Sequence, residues 1–215
     1  VIFTPVGNED VPTAHLPVVV KLGLSNLPAQ LDILTDELTG TVTLADLQSL
    51  IDISDLWVEI SGLVSGVPHD LSLDQDPTNT EVYDDLSQVY WTTIDVPRDT
   101  ARLVAEIVAS EASDVDLFIG IGDTPSEDTE LCESASETWV EYCNLDYPER
   151  GTYWVLVQNW WGSGEPPDAI RAITALVPNE DAGNLTVTDL AAVPALEQFI
   201  LDVSWDEPSM VDGDF

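Results

Sequence analysis

Two cysteines, two histidines and a large surplus of carboxylates are the residues of this 215-residue chain whose types could do chemistry. Cys132 and Cys143 bound the stretch CESASETWVEYC. A zinc site would need four ligands, and the other soft donors, His15 and His69, lie far away without CxxC or HxxxH spacing. A catalytic thiol would need a neighbouring base, and the central segment around the cysteines holds no histidine. An even pair in an acidic chain of exported character therefore predicts one disulfide closing a small loop. No GxSxG or comparable turn presents a serine nucleophile, so His15 and His69 are read as surface or core histidines.

The carboxylates fall into two clusters. Asp74, Asp76, Asn79, Glu81, Asp84 and Asp85 crowd one loop, and Asp114, Asp116 and Asp123 flank the run DVDLFIG. Calcium takes hard oxygen ligands of this kind, but the D-x-D-x-D-G loop is missing. Two readings stay open: a plain solvated acidic surface, or a calcium centre drawn from Asp76, Asn79, Asp84, Asp114 and Asp116. A glycosidase would need two carboxylates in one cleft, and the spacing singles out no pair. The aromatic residues form the last group, with Trp139 inside the cysteine loop and Tyr153, Trp154, Trp160 and Trp161 around one strand and its exit. Exposed, such rings stack on sugars or on a protein partner; strand alternation buries some of them instead.

The charge narrows the partners. With 41 acidic against 5 basic residues the chain carries a net charge of −36. Nucleic acid and anionic membrane surfaces are excluded as partners, because no basic stripe offsets the repulsion. A protein of this kind is expected to gain stability from added salt or divalent ions. No stretch reaches the ~20 apolar residues that a membrane-spanning helix needs. The chain opens at Val1 without an initiator methionine or a signal region, which predicts a processed piece of a longer precursor.

Positioning these groups falls to strands. About ten runs of alternating or β-branched residues, among them GTVTLADL, QVYWTTIDV, ARLVAEIVAS, DVDLFIGIG, GTYWVLVQNW and QFILDVSW, are separated by Gly, Pro, Asn and Asp. The pattern predicts an all-β chain of tandem β-sandwich modules, Ig-like or jelly-roll-like, with little helix. Short helices are expected only at LADLQSL (44–50) and EDTELCESA (127–135). The polar stretch 65–85 reads as a linker or long loop, and a second break falls at 177–184. These divide the chain into an N-terminal β-module (1–65), a central sandwich (66–178) and terminal strands of an incomplete module (179–215).

The central residues carry a resemblance. VPRDTARLVAEI, DVDLFIG at 114–120, the two cysteines and PERGTYWVLVQNW at 148–160 resemble the bacterial pre-peptidase C-terminal domain, a β-sandwich appended to secreted subtilisin-like serine proteases. The resemblance implies an extracellular, bacterially secreted, non-catalytic module that serves binding, anchoring or assembly. The family's catalytic triad sits in a separate upstream domain, and no residue here matches it. The expected ligand is an extracellular protein or a polysaccharide. The alternative is a homo-polymer, a filament subunit assembled head to tail by exchange of terminal strands, since QFILDVSWDEP reads as the opening of a sandwich left unfinished.

Overall fold

Apolar residues at every second position, with turn residues between the runs, produce strands almost throughout the residues that can be described. The computed structural model describes residues 2–3, 14–15, 25–26, 33, 35, 37–54, 58, 60–188, 190 and 192–209. Its strands are β1 (Ile2–Phe3), β2 (Ala14–His15), β3 (Thr39–Gln48), β4 (Val67–Leu73), β5 (Tyr90–Val96), β6 (Thr100–Ser110) and β7 (Asp114–Ile121). They continue with β8 (Glu130–Ser134), β9 (Tyr142–Asp146), β10 (Gly151–Trp161), β11 (Asp168–Pro178), β12 (Leu185–Val187) and β13 (Gln198–Asp206). A 3-10 turn at Glu127–Thr129 is the only helical element among the described residues.

The chain divides into two compact units. One comprises Val1–Asp32, Leu44–Leu56 and Leu190–Ile200, and holds the β1–β2 pair and the bridges Ser25 to Ser49 and Ile53 to Val193. The other comprises Ile33–Thr43, Trp57–Asp189 and Leu201–Phe215. A three-stranded sheet has the order β12-β13-β3, so the C-terminal strands share a sheet with a strand from early in the chain.

The larger unit contains a β-sandwich of two antiparallel four-stranded sheets, β5-β10-β7-β8 and β4-β11-β6-β9. Between them lies the core. Val115, Leu117 and Ile119 of β7 meet Leu103, Ala105 and Ile107 of β6, with Val155 and Val157 of β10 and Ile170 and Ala172 of β11. Side chains at i, i+2 and i+4 share one face of a strand, so the alternation in DVDLFIG reaches the core as its sequence predicts.

Each long side of the sandwich is a seam between edge strands of opposite sheets. On one side Cys132 of β8 and Cys143 of β9 form the predicted disulfide, Cα atoms 6.0 Å apart. On the other, Tyr90 of β5 and His69 of β4 share a 2.9 Å hydrogen bond between the phenol oxygen and Nδ1, while His69 Nε2 lies 3.0 Å from Thr174 Oγ1. Burial holds the His69 pKa below its ordinary value. The disulfide closes a short loop in the unfolded chain, which by loop entropy is worth about 3 kcal/mol. Replacing both cysteines with alanine is expected to remove about that much, read as a lower urea midpoint with a slope equal to or slightly above that of the wild type.

The described residues depart from expectation in four places. LADLQSL is strand through Gln48, not helix, because the β-branched run ahead of it is already extended and β13 pairs with β3. EDTELCESA is a single 3-10 turn followed by β8. The expected linker 65–85 contains β4, paired along its length with β11. Pro68 within β4 is tolerated because β4 is an edge strand, where a missing N–H breaks no ladder. Residues 60–64, within the expected strand SDLWVEISGLV, form none; PVVVKLGLS lies almost wholly outside the described residues.

Candidate functional site

The run DVDLFIG was expected to show one face to the core and one to water, yet β7 is buried on both. Its second face is covered by the segment 74–88. Val82, Tyr83 and Leu86 from that segment pack with Val89 on Phe118, Trp154 and Leu156, which make a small second core outside the sheet. Tyr83 meets Phe118 and Trp154 edge-on, at centroid distances of 6.2 and 6.0 Å. Gly120 on β7 makes room for the Trp154 indole, whose Nε1 donates to Thr129 Oγ1 at 3.1 Å.

The covering segment is pinned by polar side chains of β10. Gln158 Nε2 donates to Asp76 Oδ2 at 2.6 Å and to the Asn79 carbonyl at 3.1 Å. Asn79 Nδ2 in turn donates to the Trp160 carbonyl at 2.9 Å, and the Asp76 N–H to the Asn159 carbonyl at 2.9 Å. Asp76 also accepts from the Thr78 N–H, so its carboxylate is fully engaged as an anchor. Farther along, the Tyr83 hydroxyl donates to Glu130 Oε2 at 2.6 Å; burial and then this bond raise its pKa.

Between segment 79–84 and the sheet lies a cleft of about 530 Å³. Asp116, Phe118, Gln158 and Trp160 line it from the sheet, Glu81, Tyr83 and Asp84 from the covering segment, and Glu127, Glu130 and Glu133 from the region of β8. Six of these side chains are carboxylates and none is basic. Asp116 is the unusual member: it is only 6% exposed, and its carboxylate accepts no hydrogen bond from any described residue. Burial pushes its pKa up to about 7, with the charges of Asp114, Glu141 and Glu133 adding to the effect.

Two more acids stand close by. Asp114, two residues earlier on the same face of β7, has a buried Oδ1 without a partner among the described residues, and burial raises its pKa as well. Glu141 is buried but satisfied, accepting from the Ser134 hydroxyl and from the Ser136 N–H at 2.9 Å. A group of like charges, two of them incompletely paired, is relieved by a proton at lower pH and, above the raised pKa, by a cation.

Of the residues proposed from sequence for calcium, Asn79, Asp84 and Asp116 line the cleft, Asp76 anchors its roof, and Asp114 stands beside it. They do not converge: among the described residues no group of three or more His, Cys, Asp or Glu side chains is arranged to hold a metal ion. Of the aromatic candidates Trp160 lines the cleft and Trp161 is 60% exposed beyond it. Trp154 and Tyr153 are buried, the latter with its hydroxyl on the Glu149 carbonyl, and Trp139 packs against the sandwich core.

Sequence reading missed Glu130, Glu133, Tyr83 and Gln158. A signal for Glu133 exists. Cys132 must face inward to reach Cys143, so its neighbour Glu133 faces out, and register places it opposite Phe118 beside Asp116. No protein-family model matches this chain, and no curated protein matches it.

Proposed function

We propose that this chain is a non-catalytic binding module of an exported protein, similar in kind to the modules appended to secreted subtilisin-like proteases, and that its cleft receives a cationic group from a protein partner. Asp116 carries this reading. A buried carboxylate without a hydrogen-bond donor is costly, and an incoming guanidinium or ammonium supplies both charge and donors. Tyr83 and Trp160 offer rings against which such a cation is further stabilised. A neutral polysaccharide brings no charge to answer six carboxylates, which favours a protein ligand over a sugar.

Titration with an arginine-containing tripeptide, blocked at both ends and followed by tryptophan fluorescence and calorimetry at pH 8, tests the idea. Saturable binding is expected, weakened about tenfold in Asp116→Asn, the loss that one charge-assisted hydrogen-bonded contact represents. The same peptide with glutamate for arginine is expected not to bind. Absence of binding by the arginine peptide, or equal binding by wild type and Asp116→Asn, would sink the reading.

A further inference from the structure

The basic residues of the chain are so few that each can be followed. Of the 5 Lys and Arg, Lys21 lies outside the described residues. Arg102 lies 3.4 Å from Asp146 and also donates to Asn144 and Tyr142, and Arg171 lies 3.5 Å from Asp70. Arg98 and Arg150 remain. Both are exposed, and neither has an ion pair or hydrogen bond with a described residue.

These two arginines sit together. Arg98 lies in the turn from β5 to β6 and Arg150 in the turn from β9 to β10. The turns adjoin, since Val96 pairs with Gly151 and the Tyr147 N–H donates to the Ala101 carbonyl at 2.7 Å. Asp99 and Glu149 occupy the same tip, so what the tip offers is two long guanidinium side chains and not a net positive charge. In the acidic cleft, Asp116 is level with Gln158, toward the other end of the same strand. From Gly151 at the tip to Gln158 and Trp160 in the cleft, β10 runs roughly 25 Å at about 3.3 Å per residue. A folded sandwich cannot bring its own tip to its own Asp116.

We propose that the occupant of the cleft is a second copy of this chain, presenting Arg98 and Arg150. The proposal rests on the cleft being a receptor for cations and adds what fills it. The contact joins two different surfaces, the turn tip and the outer face of the β5-β10-β7-β8 sheet, so it does not close on itself in a pair; it propagates head to tail. Two copies that each carry −36 repel one another at long range. Salt shortens that repulsion from about 10 Å at 0.1 M to about 3 Å at 1 M, while a guanidinium seated on the buried Asp116 is screened much less. Association therefore strengthens with salt, the reverse of what an exposed ion pair alone would do.

Sedimentation velocity over a range of protein concentrations at pH 8, in 0.1 M and in 1 M sodium chloride, reads this directly. The wild type is expected to form a concentration-dependent series of oligomers in 1 M salt, and R98E/R150E to remain monomeric. All four substitutions of the exchange pair are at exposed positions, so folding is checked simply by the melting curve. The cleft variant E127R/E133R is expected to be monomeric alone, and an equimolar mixture with R98E/R150E to associate, since each chain then complements the other. A wild type that stays monomeric, or oligomers unchanged in R98E/R150E as exchange of terminal strands would give, overturns the proposal. If the arginine peptide still binds the cleft in that case, only the occupant is wrong; if it does not, the cleft reading falls as well.

Discussion

The protein is expected to unfold several degrees higher at pH 5 than at pH 8, and Asp116→Asn is expected to remove most of that difference. Asp116 holds its proton up to about pH 7 when folded, against an ordinary value of 3.8 when unfolded. A group whose pKa is raised by folding contributes stability that is complete below its unfolded pKa and is lost as pH climbs through the folded one. The window is thus pH 4 to 7. Between pH 5 and pH 8 this shift corresponds to at most about 3 kcal/mol by linkage, or several degrees in a chain of this length.

The groups acting on Asp116 are Asp114 on its own strand, Glu133 on β8, and Glu141 ahead of β9, all of one sign. Asp114 shifts in the same direction and adds to the trend. His69 opposes it: its pKa is lowered by burial, so its contribution is present above pH 6.5 and lost as pH falls. Comparing wild type with Asp116→Asn cancels the His69 term. At pH 8 the variant should be the more stable of the two, and calorimetric melting at pH 5 and 8 decides it. Equal pH dependence in both proteins would mean that Asp116 is not buried as described.

Gly120→Ala is expected to cost about 3 kcal/mol or more, as overpacking in a filled core does. The added Cβ would fall within the indole of Trp154, which has no room to retreat because its Nε1 is held by Thr129 and its ring by Tyr83. Gly151→Ala is the internal control. There the nearest neighbour of an added Cβ is the Tyr153 ring at 3.7 Å, an ordinary contact, and a change under about 1 kcal/mol is expected. Urea midpoints for both variants test the pair. Similar losses at the two positions would count against the outer core around Trp154.

The contrast between these glycines shows which features the sequence exposes and which it conceals. DVDLFIG and TYWVLVQ alternate so regularly that their inner faces are legible at sight, and the disulfide followed from cysteine count and acidity. Among the strands of the sandwich, those that escaped are β4, β8 and β9, short, polar edge strands, two of which pair with strands distant in sequence. The roof over β7 escaped for a different reason. Val82, Tyr83 and Leu86 are three apolar residues in an acidic loop, too few to show a period, and only their landing on Phe118 and Trp154 gives them a role. Asn79, Asp84, Asp116 and Trp160 therefore stand out in the sequence as separate features, three of them for their oxygens and one for its ring, without any sign that they share a cleft with Glu130 and Glu133.

The two seams of the sandwich are fastened by unlike chemistry, covalent sulfur on one side and a half-buried imidazole with its phenol on the other. A reductant reaches the first and leaves the second intact; acid strains the second and does nothing to the first. No single change of surroundings unfastens both, so one pair of sheet edges stays fastened through either insult and is withheld from pairing with a stranger. Two unlike fastenings are insurance against aggregation.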